Sequence, residues 1–309
     1  MVRPGRVEGE RVAEYIDRRF QAMEAAWHPD GEGELARLNR HLAAGEAMEV
    51  SPALVALLRE GQALEAASEG LFNPAIGDLI RLWGFVTDTT RPRSPPPEPA
   101  IQERVAAAPR MADLTFDDGR DNGRVGTTNP AVALNLGGYA KGHAARRAIE
   151  TLTDAGMQGA IFNLGGDLVT VGRPEGAGGR LWRIGVRDPR SGEVLASVAV
   201  DGGWAVFTSG DYERGFEHEG RWFHHILDPR TGYPATSVRS VTVVDRDPVL
   251  ADAAATALFV AGLEEWERIA GRLGVRDILI IDHEGRAWMT ASMAERTTLE
   301  ADVTEVVIR

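Results

Sequence analysis

The chain of 309 residues contains no cysteine. That absence excludes disulfides, thiolate metal sites, a cysteine nucleophile and a lipidated N-terminal cysteine. No apolar run reaches about 18 residues, so no membrane insertion is expected. The opening stretch MVRPGRVEGERVAEYIDRRF lacks the apolar core of a secretory signal. A cytoplasmic protein is therefore expected if residue 1 is the native start, and a periplasmic one if a leader has been removed. Basic blocks are missing as well: Lys plus Arg number 34 against 46 for Asp plus Glu, a formal net charge of −12. An acidic chain repels phosphate backbones, which argues against a nucleic-acid partner. The dinucleotide pattern GxGxxG, the Walker pattern GxxxxGK[ST] and the serine-hydrolase elbow GxSxG are all absent. Ser209 within Thr-Ser-Gly is a weak substitute for the last.

What is there reads as a full hydrophobic core in one large domain or two lobes. Apolar spacing predicts an amphipathic helix over 10–26, with Val12, Tyr15, Ile16, Phe20 and Met23 on one face. A short helix carrying Leu35 and Leu38 ends near Asn39. Ser51 before Pro52 marks a capped helix start, and Gly70 stops that helix after Ser68. Phe72-Asn73-Pro74-Ala75-Ile76-Gly77 reads as a turn into another short helix. Residues 88–99, DTTRPRSPPPEP, form the one Pro-rich stretch and read as a surface loop. A helix over 100–108 follows, and then strands at 113–117, 123–128 and 132–136. Residues 160–171 are apolar around an embedded Asn163-Leu164-Gly165-Gly166-Asp167; further strands fit 182–187, 197–200, 205–208, 240–244 and 277–282, with a helix ending near Gly156, helices over 250–262 and 264–273, and a terminal hairpin. Strand-rich runs mixed with paired helices point to an α+β fold.

Three groups of residues carry chemistry. Leu136-Gly137-Gly138-Tyr139-Ala140-Lys141 passes from a glycine turn into a helix start. Free N–H groups, the helix dipole and a lysine there suit a phosphate or pyrophosphate, and tight strand-to-helix packing is the other explanation for the glycines. Asp252 and Thr256 are four apart on a helix of Ala, Leu, Phe and Val, so they share one face. A carboxylate and a hydroxyl with backbone oxygens would suit Mg²⁺, while Asp252 could instead cap the helix. The stretch 208–235, TSGDYERGFEHEGRWFHHILDPRTGYPA, reads as an aromatic hairpin, 212–216 with 222–227, turned by Glu219-Gly220. It holds Ser209, Gly210 and Asp211 at one end and a rigid Pro/Gly loop at the other. Adjacent histidines on a strand face opposite ways, so zinc shared by His224 and His225 is improbable, and only one of the two can line a ligand.

Taken together these stretches resemble the FAD:protein FMN transferase family, the ApbE family of flavin transferases. The resemblance covers about residues 20 to 290. It rests on Glu34–Asn39, Phe72–Gly77, Leu136–Gly142, Asn163–Asp167, Thr208–Tyr212, His225–Gly232 and Ala251–Ala257, in the family's order. It implies one domain over 1–309 with two lobes, mixed or antiparallel sheets flanked by helices, and an FAD cleft between a helical N-terminal part and a strand-rich remainder. It implies FAD as substrate, Mg²⁺ as cofactor, and transfer of FMN to a Thr or Ser hydroxyl of a target flavoprotein, with AMP leaving. The metal ligands it implies are the Asp252 carboxylate, the Thr256 hydroxyl and the Gly138 backbone oxygen. Lys141, Asp211, His225 and Ile226 then fall beside flavin and pyrophosphate, with Asn135, Gly137, Ser209 and Gly210 near them. Asn39, Phe72 and Asn73 fall near the nucleotide. His225 is the first choice of base for the acceptor hydroxyl and Asp211 the second; Lys141 carries developing charge. A non-catalytic FAD-binding protein and a Mg²⁺-dependent FAD pyrophosphohydrolase are the alternatives. The chain departs from the family pattern at Asn135 and Asn73, where Asp is common, and at Ala255, where some members carry a further Asp. The Met-Gly-Thr strand that usually opens the fold has no match in residues 1–10.

Overall fold

The computed structural model describes residues 6–86, 94–117, 123–174, 178–300 and 303–309. Its helices, among the described residues, are α1 (Arg6–Trp27), α2 (Glu34–Ala43), α3 (Pro52–Ala67), α4 (Gly77–Leu82), α5 (Glu98–Ala106), α6 (Ala140–Asp154), α7 (Pro248–Leu273) and α8 (Ala291–Arg296). The first strands are β1 (Met48–Val50), β2 (Leu114–Asp117), β3 (Gly123–Thr127), β4 (Gly159–Leu164), β5 (Asp167–Gly172), β6 (Trp182–Arg187) and β7 (Val194–Val200). They are followed by β8 (Ala205–Gly210), β9 (Gly215–His218), β10 (Arg221–His224), β11 (Val238–Asp245), β12 (Asp277–Asp282), β13 (Ala287–Met289), β14 (Thr297–Leu299) and β15 (Val306–Ile308). The fold is α+β, with several sheets flanked by helices. The chain divides into two units, one of Met1–Met23, Tyr139–Gly210 and Ser237–Arg309, the other of Glu24–Gly138 and Asp211–Thr236.

The first unit is built on a seven-stranded sheet in the order β15-β13-β12-β11-β8-β5-β4, antiparallel except where β15 joins β13. Every residue of β12 is buried, as expected for a strand covered on both faces. A second sheet, β14-β7-β6, lays Ile184, Leu195 and Val198 against Val206, Val244, Leu279 and Ile281 of the first. Ile16 of α1 packs with Ala148 and Leu152 of α6 and Val171 of β5, and the rings of Phe20 and Phe162 lie 5.2 Å apart. Tyr15, assigned above to the apolar face of α1, is exposed; the buried stripe of that helix is narrower than its spacing implied. Helix α7 packs on β8 and β11. Its N-cap is Asp247, whose side chain accepts from the N–H groups of Val249 and Leu250 ahead of an N-terminal Pro248. Gly262, at φ 61° and ψ −172°, breaks α7 into two segments. A Cβ at Gly262 would lie 2.5 Å from Cβ of Ser237.

In the second unit β1, β3 and β2 form a three-stranded sheet beside α2 and α3. Ser51 caps α3 by accepting from the Leu54 N–H, and Gly70 leaves the helix at φ +83°. Residues 132–136 do not form the expected strand. They make one isolated bridge, Ala133 with Ile76, and the Asn39 side chain takes both backbone groups of Leu134, at 2.9 and 2.7 Å. A side-chain amide thus replaces a neighbouring strand. The hairpin of β9 and β10 turns through Glu219 and Gly220, both left-handed at φ 51° and 74°, the twist that two-residue hairpins favour. It buries Phe216 and Phe223 against Trp83 and Phe85, and the Trp83 indole donates to the Gly232 carbonyl at 2.8 Å. Residues 211–236 belong to the same unit as α2 to α5. Of the Pro-rich stretch, residues 88–93 lie outside the described residues. Residues 94–97 have no regular structure, and α5 begins at Glu98.

Candidate functional site

The candidate residues fall in both units, and the unit boundaries cut two of the motifs, after Gly138 and after Gly210. In the first unit Lys141 sits in the first turn of α6, Ser209 and Gly210 end β8, and Asp252 and Thr256 lie one turn apart on α7. Asp252 is buried, five residues inside the helix that Asp247 caps, so capping does not account for it. One oxygen, Oδ2, accepts the Gly142 N–H at 2.8 Å. That approach depends on glycine, because a Cβ at Gly142 would lie 2.4 Å from the Pro248 carbonyl oxygen. Burial pushes the Asp252 carboxyl well above the usual carboxylate range. The Lys141 charge and the Gly142 N–H offset part of this, and the charge of Asp167 adds to it. The Thr256 hydroxyl lies 3.2 Å from the Ser209 hydroxyl. A carboxylate and two hydroxyls make a hard oxygen donor set of the kind Mg²⁺ takes. Among the described residues no group of three or more His, Asp or Glu side chains is placed to hold a metal ion. Any ion here would need hydroxyl or backbone oxygens as well.

Asp167 was not assigned a role in the sequence. It opens β5 after the Gly165-Gly166 turn, is buried, and pairs with the Lys141 ammonium through Oδ2 while Oδ1 accepts the Thr208 N–H at 3.0 Å. The available signal was a carboxylate placed at the end of Asn-Leu-Gly-Gly, directly after two glycines.

In the second unit the asparagines are engaged by backbone. Asn73 donates to the Pro109 carbonyl at 2.9 Å and accepts from the Ala75 N–H at 2.9 Å. Asn135 accepts the Gly137 N–H at 2.9 Å, an Asx turn that shapes the glycine loop. Phe72 is buried, and a Cβ on Gly138 would meet its ring edge at 3.0 Å. A cavity of about 800 Å³ in this unit is lined by Asn39 and Asn73 together with Glu65, Arg81, Arg110 and Arg230. Burial raises the Glu65 carboxyl, and Arg110 opposes the shift.

His224 ends β10 and is buried; its Nε2 lies 2.7 Å from the Ala235 carbonyl, and its Nδ1 faces the Ile226 N–H at 3.3 Å. One ring nitrogen donating and the other accepting is the pattern of a neutral imidazole. His225 lies just past the strand and is half-buried, with Nδ1 3.3 Å from the Arg214 carbonyl. A proton on Nδ1 for that contact leaves the lone pair on Nε2. Ile226 is buried and its carbonyl accepts the Ala235 N–H at 3.0 Å. The Asp211 carbonyl accepts the Trp222 indole N–H at 2.8 Å.

The model of the ApbE family matches residues 3–279. The chain belongs to the ApbE family. It is 44% identical over 282 residues to an FAD:protein FMN transferase of Rhodobacter capsulatus, covering 91% of this chain and 52% of that protein. This chain thus spans about half the length of that relative. It is 34% identical over 273 residues to an FAD:protein FMN transferase of Treponema pallidum, covering 85% of this chain and 74% of the other. Among solved structures, the ApbE protein of Thermotoga maritima superposes with a TM-score of 0.84 at 31% identity, covering 95% of this chain and 92% of that one. Among the described residues α1 is the first element. Asn73 uses a donor that the more common Asp would lack. Ala255, beside Thr256, is buried and supplies no second carboxylate.

Proposed function

We propose that this chain is a Mg²⁺-dependent FAD:protein FMN transferase that attaches FMN to a Thr or Ser hydroxyl of a target flavoprotein and releases AMP. The observation that carries the reading is Asp252: a carboxylate buried on an apolar helix, pushed upward by burial, with the Thr256 hydroxyl one turn along and the Ser209 hydroxyl 3.2 Å from that of Thr256. Support also comes from the relatives in Rhodobacter capsulatus and Treponema pallidum, which are named FAD:protein FMN transferases. Asp252, Thr256 and the Gly138 backbone oxygen would hold the ion; bound there, it would supply charge neutralisation at the pyrophosphate.

The chain's own groups supply the rest. In the reaction the acceptor oxygen bonds to the FMN-side phosphorus. The bond from that phosphorus to the bridging oxygen breaks, and AMP leaves with the bridging oxygen. The Lys141 ammonium meets part of the developing negative charge. The hydroxyl proton passes to His225, whose Nε2 carries the lone pair when Nδ1 faces Arg214. Asp211 is the second candidate base. The Gly137-Gly138 turn offers backbone approach to the phosphates. Mass spectrometry of candidate flavoproteins incubated with the protein, FAD and MgCl₂ tests this. The expected product is FMN on a Thr- or Ser-containing peptide with AMP in solution. Free FMN without an adduct would mark a pyrophosphohydrolase, and intact bound FAD would mark a carrier.

A further inference from the structure

We propose that Asp167 is the resident counter-ion of Lys141, and that by holding this ammonium it keeps the Asp252 carboxylate available to a divalent cation. The inference rests on the reading of Asp252 as a metal ligand. The first turn of α6 serves two carboxylates at once: the Lys141 side chain pairs with Asp167, and the next residue, Gly142, gives its N–H to Asp252. Asp167 is suited to the task because it is fixed from behind. It is buried, and the Thr208 N–H on β8 holds Oδ1, which orients Oδ2 toward the lysine.

Charge decides what this arrangement does. Lys141 lies close enough to Asp252 to offset part of its burial penalty, while Asp167 works against that offset. With both acids present the three side chains sum to one negative charge, which a dication can meet. Without the Asp167 charge, Lys141 and Asp252 sum to zero. The tethered ammonium, left without its own counter-ion, is then a built-in competitor for the buried carboxylate.

The test is calorimetric titration of MgCl₂ into the full chain without FAD, with folding checked by circular dichroism. Asp167→Asn keeps an acceptor for the Thr208 N–H and removes the charge, and it should weaken Mg²⁺ binding roughly 10–100-fold, the range seen when an outer partner of a metal ligand is lost. Adding Lys141→Met to Asp167→Asn should recover most of that loss, which a damaged fold would not do. Lys141→Met alone should bind Mg²⁺ at least as tightly as the native chain, and this arm decides the matter if Asp167→Asn does not fold. Native-like binding by Asp167→Asn, or a double variant as weak as the single, overturns the inference and leaves the Asp252 reading standing. So does weaker binding by Lys141→Met. No Mg²⁺ binding by the native chain overturns both.

Discussion

The two units hold their polar candidates in opposite ways. In the second unit the amides of Asn39 and Asn73 are taken up by backbone on both donor and acceptor sides; they hold turns in shape. In the first unit Asp252 is buried with its carboxyl pushed upward, and its neighbours pull in both directions. A saturated amide is a framework element, whereas a carboxylate held against its preference is poised for a ligand. The lesson is that a polar residue in a family motif can mark either the scaffold or the chemistry, and its hydrogen-bond partners tell which.

The comparison breaks most readily at Asp252. Asp252→Ala should reduce Mg²⁺-dependent FMN transfer to background, read by adduct mass; retained transfer would place the ion elsewhere. Next comes His225→Ala, expected to slow transfer by about 10²–10⁴ at saturating FAD, while FAD affinity by flavin fluorescence falls much less. His224→Ala should leave the rate near native and lower stability, because His224 ties β10 to the Ala235 carbonyl. The framework side is probed by Asn73→Asp, which removes the donor to Pro109 and should cost about 1–3 kcal/mol of folding stability in urea unfolding. If Asn73→Asp proved as stable as the native chain, the contrast between the units would dissolve.

A pH-dependent effect concerns His143 on α6. Burial first, and then the charges of Arg147 and Arg146, lower its imidazole from 6.5 to about 4. Between those values the unfolded chain takes up a proton that the folded chain refuses. Stability is therefore present above the upper value and is lost as pH falls through the window. Melting temperatures recorded across that window should fall with pH in the native chain, and less so in His143→Gln.

Local chemistry made much of this legible in the sequence. Ser51-Pro52 marked a helix start, Glu219-Gly220 a hairpin turn, and the i, i+4 spacing put Asp252 and Thr256 on one face. What stayed hidden depends on partners far along the chain. Residues 132–136 alternate like a strand, yet Asn39, 95 positions earlier, takes the Leu134 backbone. The aromatic hairpin packs on Trp83 at the end of α4, whose indole also reaches the Gly232 carbonyl, 149 positions away. Capping by Asp247 could have been weighed from Asp-Pro, the same logic that located α3. Asp167 escaped notice because its meaning lies in Lys141, on another element.

The central claim, that Asp252 is a carboxylate reserved for a divalent cation, is tested most directly by thermal unfolding of the native chain and Asp252→Asn with and without MgCl₂. Because the folded-state value of Asp252 is raised, its charged form opposes folding near neutral pH. Without the ion, Asp252→Asn should therefore melt at a higher temperature than the native chain. With MgCl₂ the native chain should rise and the variant should not. A variant that melts lower without the ion and responds to Mg²⁺ as the native chain does would contradict the account.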